Sequence, residues 1–206
     1  MSDPFQAFMT PCAAASSAPL FAEEDGRVLV LPREEKRLLQ RHPDFEALMI
    51  RTVEDGLKQD DWLGFVYVMH WPDGAGIVPL YIGMARREGR KHPLSANIAN
   101  IRTNKNKFGR WGDGRAYHIG DLSHALFEFE SYKGVDPRYV RWIERLFTDP
   151  QSLVLRRPVR IALVSWHAGD IGPHGRQVNV RTLEQQLILL AQSHHSDRLL
   201  NQDDEP

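Results

Sequence analysis

The clearest hydrophobic pattern begins at Gly64. Phe65, Val66, Tyr67, Val68, Met69, His70 and Trp71 form a β-prone run, Pro72, Asp73, Gly74, Ala75 and Gly76 are turn formers, and residues 77–82 form a second β-prone run containing Pro79. This pattern predicts a β-hairpin. With the turn centred on Gly74, Tyr67 and Tyr81 stand seven residues to either side and face each other across the ladder. Val66, Val68, Val78, Leu80 and Ile82 then form an apolar face on the other side, which is expected to carry the main core. A proline at position 79 fits a strand whose edge is free there.

Elsewhere the pattern is helical or irregular. Residues 1–25, rich in Ala, Ser and Pro, read as a flexible tail, part of which can dock on the body. Val28 to Leu31 is a short apolar run. The spacing of Leu38, Phe45, Leu48, Met49, Val53 and Leu57 is helical, with a break before Pro43, so 26–61 reads as a helical extension. Residues 159–166 (VRIALVSW) read as a buried strand. After a Gly/Pro/His loop, Leu183, Leu187, Leu190 and Ala191 make the apolar stripe of a helix expected to start near Thr182. Glu184 lies at the edge of that stripe. Read alone, it favours the first turn of a helix capped by Thr182, with Gln185 completing a capping box.

Composition narrows the class. The 206 residues are 42% hydrophobic and 26% charged, as in an ordinary globular chain. No run of about 18 apolar residues occurs, so no membrane span is expected. A single cysteine, Cys12, excludes a disulfide framework and a multi-thiolate zinc site, and suits a reducing, cytoplasmic setting. The net charge of −1 hides an asymmetry. Between Arg86 and Arg115, nine basic residues (Arg86, Arg87, Arg90, Lys91, Arg102, Lys105, Lys107, Arg110 and Arg115) face only Glu88 and Asp113, while the other 176 residues carry eight more acids than bases. Such a basic segment, holding Asn97, Asn100, Phe108 and Trp111, suits phosphate contacts with stacking, although a solvated face balanced by acidic neighbours has the same composition. Neither a G-x-S-x-G elbow nor a phosphate-binding G-x-x-x-x-G-K-[ST] loop is present; GMARREGR at 83–90 lacks the terminal Lys-Ser/Thr.

Together, these features resemble the GIY-YIG nuclease family. Its two tripeptides correspond to Phe65-Val66-Tyr67, which lacks the Gly, and to the intact Tyr81-Ile82-Gly83. The family places an Arg about ten positions later, matched by Arg90 or, less closely spaced, Arg87. It closes on a helix of the form L-E-x-x-L-I and a following Asn, here Leu183 to Ile188 and Asn201. The resemblance covers about 62–201, with an insertion at about 108–150 that includes FGRWGDGRAYHIGDLS and its Arg110, Asp113, Tyr117, His118 and Asp121. It implies an α+β domain (α/β class): a small, mainly antiparallel sheet flanked by helices, with 62–206 as the nuclease domain.

The implied activity is metal-dependent endonucleolytic hydrolysis of DNA, of the restriction or mobile-element type. Glu184 would hold Mg²⁺ (or Mn²⁺), whose octahedron waters complete, and Arg90 would neutralise the phosphoryl oxygens. Tyr67 would relay a proton from the attacking water, Tyr81 would position water or phosphate, and His118 would shuttle a proton or contact phosphate, unless it is a structural hydrogen-bonding residue. Arg87, Lys91, Lys107, Arg110 and Asn201 are the expected substrate contacts, Asn201 alternatively fixing the C-terminal segment. Glu144 is a rival carboxylate without a following Asn and reads as structural. His194-His195, without spaced partners, makes a poor metal site. Cutting both strands with one active site would call for a homodimer. Two other readings stay open: a nucleic-acid-binding module that has lost turnover, and a structural or regulatory oligomer.

Overall fold

The computed structural model describes residues 3–33, 36–89, 92–99, 101–103, 118–128 and 134–201. Helix α1 (Pro4–Ala15) leads into β1 (Ser17–Pro19), followed by β2 (Glu23–Glu24), β3 (Arg27–Val28), β4 (Val30–Arg33) and β5 (Lys36–Leu39). Helix α2 (Pro43–Leu57) precedes the long hairpin β6 (Trp62–Asp73) and β7 (Gly76–Arg86). Beyond it lie α3 (His118–Phe127), α4 (Pro137–Leu146), β8 (Phe147–Asp149), β9 (Val154–Leu155), β10 (Arg160–His167) and α5 (Val180–His195). The main sheet runs β1-β10-β6-β7, antiparallel throughout; β2-β3-β9-β8 form a second small sheet, and β4-β5 a separate hairpin. This is the expected mixed α/β class with antiparallel sheets.

Both faces of the main sheet are covered. On one, Val66, Val68, Ile82, Ala162 and Val164 pack with Phe5 and Met9 of α1 and Leu183, Leu187 and Ala191 of α5. On the other, Phe65, Tyr67, Met69, Tyr81 and Leu163 join α2 through Phe45, Met49 and Val53, α3 through Ile119 and Leu122, and α4 through Tyr139, Trp142 and Leu146, in the larger of the two cores. The tyrosines therefore lie on the side of the larger core rather than opposite it.

The hairpin forms as the pattern predicts, but its register differs. The turn closes at Asp73 and Gly76, and a bulge at Leu80 shifts the ladder, so that Tyr67 lies opposite Gly83 and Tyr81 opposite Met69. Tyr67 and Tyr81 remain on one face as diagonal neighbours, with ring centroids 6.3 Å apart. Because the bulge inserts one residue, it inverts the alternation beyond it, and Val78 and Leu80 pack on the tyrosine side instead of with Val66 and Val68. As Pro79 implies, β7 is an edge strand.

Two N-terminal expectations are corrected. Instead of a flexible tail, residues 3–19 form α1 and the edge strand β1. Asp3 caps the helix by accepting the backbone N–H groups of Phe5 and Gln6, and Phe5 and Met9 are fully buried. Apolar residues separated by Pro4 and Pro11 concealed this helix, although Pro4 occupies the first turn, where its missing N–H costs nothing. The segment 26–61 holds only one helix; Leu38, grouped above with the helical positions, lies in β5. Helix α2 starts where the break before Pro43 places it, capped by the His42 ring, which accepts the N–H of Asp44.

A candidate active site at the free edge of the sheet

The C-terminal segment determines which part of the edge strand stays open. Leu200 N–H donates to the carbonyl of Leu80 (2.7 Å), and the buried Asn201 side chain both accepts from Ile82 N–H and donates to Ile82 C=O, each at 2.8 Å. The edge of β7 is thereby closed as far as Ile82. A cleft of about 640 Å³ begins at Gly83 and continues along Met84, Ala85 and Arg86. Because it follows a strand edge, residues from both faces of the sheet reach it: Tyr67 and Tyr81 from the hairpin, His118 and Asp121 from α3, Arg138 and Tyr139 from α4, and Glu184 from α5. Residues 95–97 and Glu88 complete one wall.

Local packing explains the tripeptide that begins at Tyr81. A Cβ on Gly83 would collide with the ring and hydroxyl of Tyr67. Glycine at this position lets the Tyr67 phenol lie across β7 and reach the cleft. Phe65, where the first tripeptide lacks its Gly, is fully buried, stacked with Trp62 at 6.5 Å, and does not line the cleft.

Glu184 is half-buried on the second turn of α5. The helix starts at Val180, not Thr182, and is capped by Asn179, whose Oδ1 accepts Thr182 N–H (2.9 Å). Neither the Thr182 cap nor the capping box with Gln185 forms, so Glu184 is not a helix-starting acid. Glu144 is exposed on α4 and lies outside the cleft lining.

His118 is buried, its ring stacked on Trp142 (5.0 Å, 20°) and set edge-on to Tyr81 (4.7 Å). Its Nδ1 lies 3.1 Å from the Tyr139 hydroxyl. Burial pushes the Asp121 carboxyl up to about 6, against the opposing pull of the nearby Tyr139 hydroxyl and the Arg138 charge. Burial, and then the Asp121 charge, raises the Tyr139 phenol well above its usual range.

Several expected contacts take other roles. Arg87 turns from the cleft and donates to the carbonyls of Gln59 (2.6 Å) and Asp60 (3.0 Å), bracing the start of β6. Arg102 forms a two-pronged pair with Glu54 at 2.7 and 2.6 Å, an acidic neighbour of the kind a solvated face would supply. Asn201, expected as a substrate contact, is 5% exposed and fixes the C-terminal segment to Ile82, the alternative role given it above. Arg90, Lys91, Lys107 and Arg110 lie outside the described residues. His194 and His195 face Asp3 at 4.0 and 3.4 Å.

Sequence reasoning missed Arg138 and Tyr139. Their signal was the Asp136-Pro137 start of α4, where Asp136 accepts Arg138 N–H (2.9 Å) and places both residues in the first turn.

For a metal ion, Glu184 offers one hard carboxylate at the cleft, and Glu88 and Asp121 line it as well. Among the described residues no three His, Cys, Asp or Glu side chains cluster closely enough to hold a metal ion. One carboxylate with waters is nonetheless a donor set that Mg²⁺ accepts. No helix among the described residues is long and apolar enough to cross a membrane. No family model, curated protein or solved structure matches the chain.

Proposed function

We propose that the protein is a metal-dependent endonuclease that hydrolyses DNA phosphodiester bonds, with a GIY-YIG-like arrangement of its site. One observation carries this reading: Tyr67, Tyr81, His118 and Glu184, 117 positions apart at the extremes, line a single cleft together with Arg86 and Arg138. A cytoplasmic setting rests on the lone Cys12.

In this reading Glu184 holds Mg²⁺ (or Mn²⁺), and when bound there the ion supplies Lewis-acid stabilisation of charge on the phosphoryl oxygens. Arg86 and Arg138 neutralise further phosphate charge, alongside Arg90. Tyr67 relays a proton from the attacking water, its hydroxyl passing on its own proton as it takes the water's; the water oxygen bonds to phosphorus as the P–O bond to the leaving alkoxide breaks, and the alkoxide takes up a proton from solvent. Tyr81, held edge-on to His118, positions the water or the scissile phosphate. The missing Gly of the first tripeptide does not count against turnover, because Phe65 serves the core and not the cleft.

The test is plasmid DNA incubated with Mg²⁺. Wild-type protein is expected to nick or linearise it, and Glu184→Ala to slow this by at least ~100-fold. Cleavage unaffected by the substitution would overturn the metal assignment. Tight DNA binding without cleavage would identify a binding module, and a stable oligomer without DNA binding a regulatory protein.

A further inference from the structure

Two amide side chains seal the outer edge of β7, and they show what that edge binds. Gln6 of α1 accepts Ile77 N–H through Oε1 and donates to Ile77 C=O through Nε2. Asn201 does the same at Ile82. Each planar carboxamide meets the outward N–H and C=O of one extended residue with one acceptor and one donor. The ladder with β6 runs without a bulge from Met69 and Tyr81 to Gly64 and Arg86, pairing Gly83 with Tyr67. Backbone groups alternate in direction along an edge strand, so the N–H and C=O of Met84 point outward like those of Ile82. Met84 lines the cleft, and among the described residues nothing is hydrogen-bonded to its N–H or C=O. Its half-buried side chain packs against the core that contains Val66, Ile82 and Val164, which holds this stretch of backbone in place.

We propose that the Met84 backbone is a specificity-determining contact of the cleft, its N–H and C=O reading the edge of an adenine in bound duplex DNA. The contact rests on the DNA substrate proposed above. A phosphate offers only acceptors, which would satisfy the N–H but oppose the carbonyl, so it is the wrong ligand for this pair. An added peptide strand needs a run of outward residues. Asn201 closes the edge at Ile82 and β7 ends at Arg86, which leaves only Met84 and Arg86 facing outward. In the major groove adenine presents an acceptor, N7, beside a donor, N6–H. Guanine presents two acceptors there, cytosine a donor and thymine an acceptor. Adenine is therefore the one base whose edge repeats what Gln6 and Asn201 offer to this strand. Asn and Gln side chains read adenine with one N–H and one carbonyl, the same two groups that Met84 presents from its backbone.

The experiment reads binding, which does not depend on cleavage. Duplexes retained by the full chain are selected from a randomised library, with Ca²⁺ in place of Mg²⁺. Wild type is expected to enrich at least one position for adenine. Placing 7-deazaadenine there, which lacks N7, should weaken binding ~5- to 30-fold. Met84→Pro removes the N–H without taking a bond from the ladder, and Pro79 shows that this edge strand accepts a proline. The variant should bind the adenine duplex as weakly as wild type binds the 7-deazaadenine duplex, with no further loss on that replacement. Met84→Ala keeps both backbone groups and should retain the full discrimination. If Met84→Pro does not fold, replacing Met84 by its α-hydroxy acid deletes the same N–H. Selected duplexes with no adenine position, or an undiminished 7-deazaadenine effect in the folded variant, would overturn the proposal. Adenine discrimination without nicking in Mg²⁺ would sink the nuclease reading alone, and nicking without adenine discrimination would sink this contact alone. Absence of any DNA binding would overturn both.

Discussion

Gly83 shows how one residue governs the cleft. Its side is occupied by the Tyr67 phenol, so even a methyl group must displace the ring or bend β7. Gly83→Ala is expected to cost ~1–3 kcal/mol, read as a lower urea midpoint. The cost should shrink in a Tyr67→Ala background, where the methyl has room. Equal costs in both backgrounds would mean that the collision does not determine the need for glycine. The motif resemblance marked Tyr67, Tyr81 and Glu184 as candidates, the basic, aromatic insertion marked His118, and all four line one cleft. Residue type misjudged Arg87, because a guanidinium in a basic segment looks the same in sequence whether it faces phosphate or the backbone carbonyls of a neighbouring turn.

At the scale of elements, the N-terminal helix is the main departure from the pattern. α1 buries Phe5 and Met9 against the face shared with α5. Phe5→Ala is expected to destabilise the whole protein by ~3–5 kcal/mol, measurable as a shifted urea midpoint. A neutral result would restore the flexible-tail reading. The hairpin was legible because its two apolar runs and the intervening turn residues are local. The bulge at Leu80 was not, since one extra residue leaves composition unchanged while reversing which side chains face the larger core. The start of α5 was misplaced for a related reason: Thr182 and Asn179 are both good caps, and only the conformation of the loop before them decides between the two.

For the whole molecule, acid stability should be governed in part by His70. Buried on β6, it lies 3.2 Å from the Ser17 hydroxyl of β1 through Nε2. Burial lowers its pKa from 6.5 to about 4, with the charge of Arg160 acting in the same direction. Below about 6.5 the unfolded chain takes up a proton that the folded chain refuses, so stability falls as the pH drops from 6.5 toward 4 and is constant with respect to this group above that window. The loss amounts to about 3 kcal/mol. Urea unfolding at pH 7.5 and 4.5 should show it in wild type, and His70→Phe should reduce the difference. An unchanged difference would show that His70 already carries its proton in the fold. Because Ser17 belongs to β1, the same titration should weaken the docking of the N-terminal segment.

Local order along the chain determined much of this protein. The spacing of apolar residues specified the hairpin, α2, β10 and α5, the proline at 79 marked the edge strand, and the short motifs that resemble a known family marked the candidate chemistry. These properties depend on near neighbours, which the sequence contains directly. Tertiary structure alone decided that both faces of the sheet are buried, that Asn201 closes the edge of β7 as far as Ile82, and that Tyr139 meets His118. Each of those depends on segments far apart in the chain packing against one another, such as Asn201 against Ile82, 119 residues away. Such pairings leave no periodic trace, because the free energy that selects them comes from burying whole faces and satisfying polar groups in the finished core.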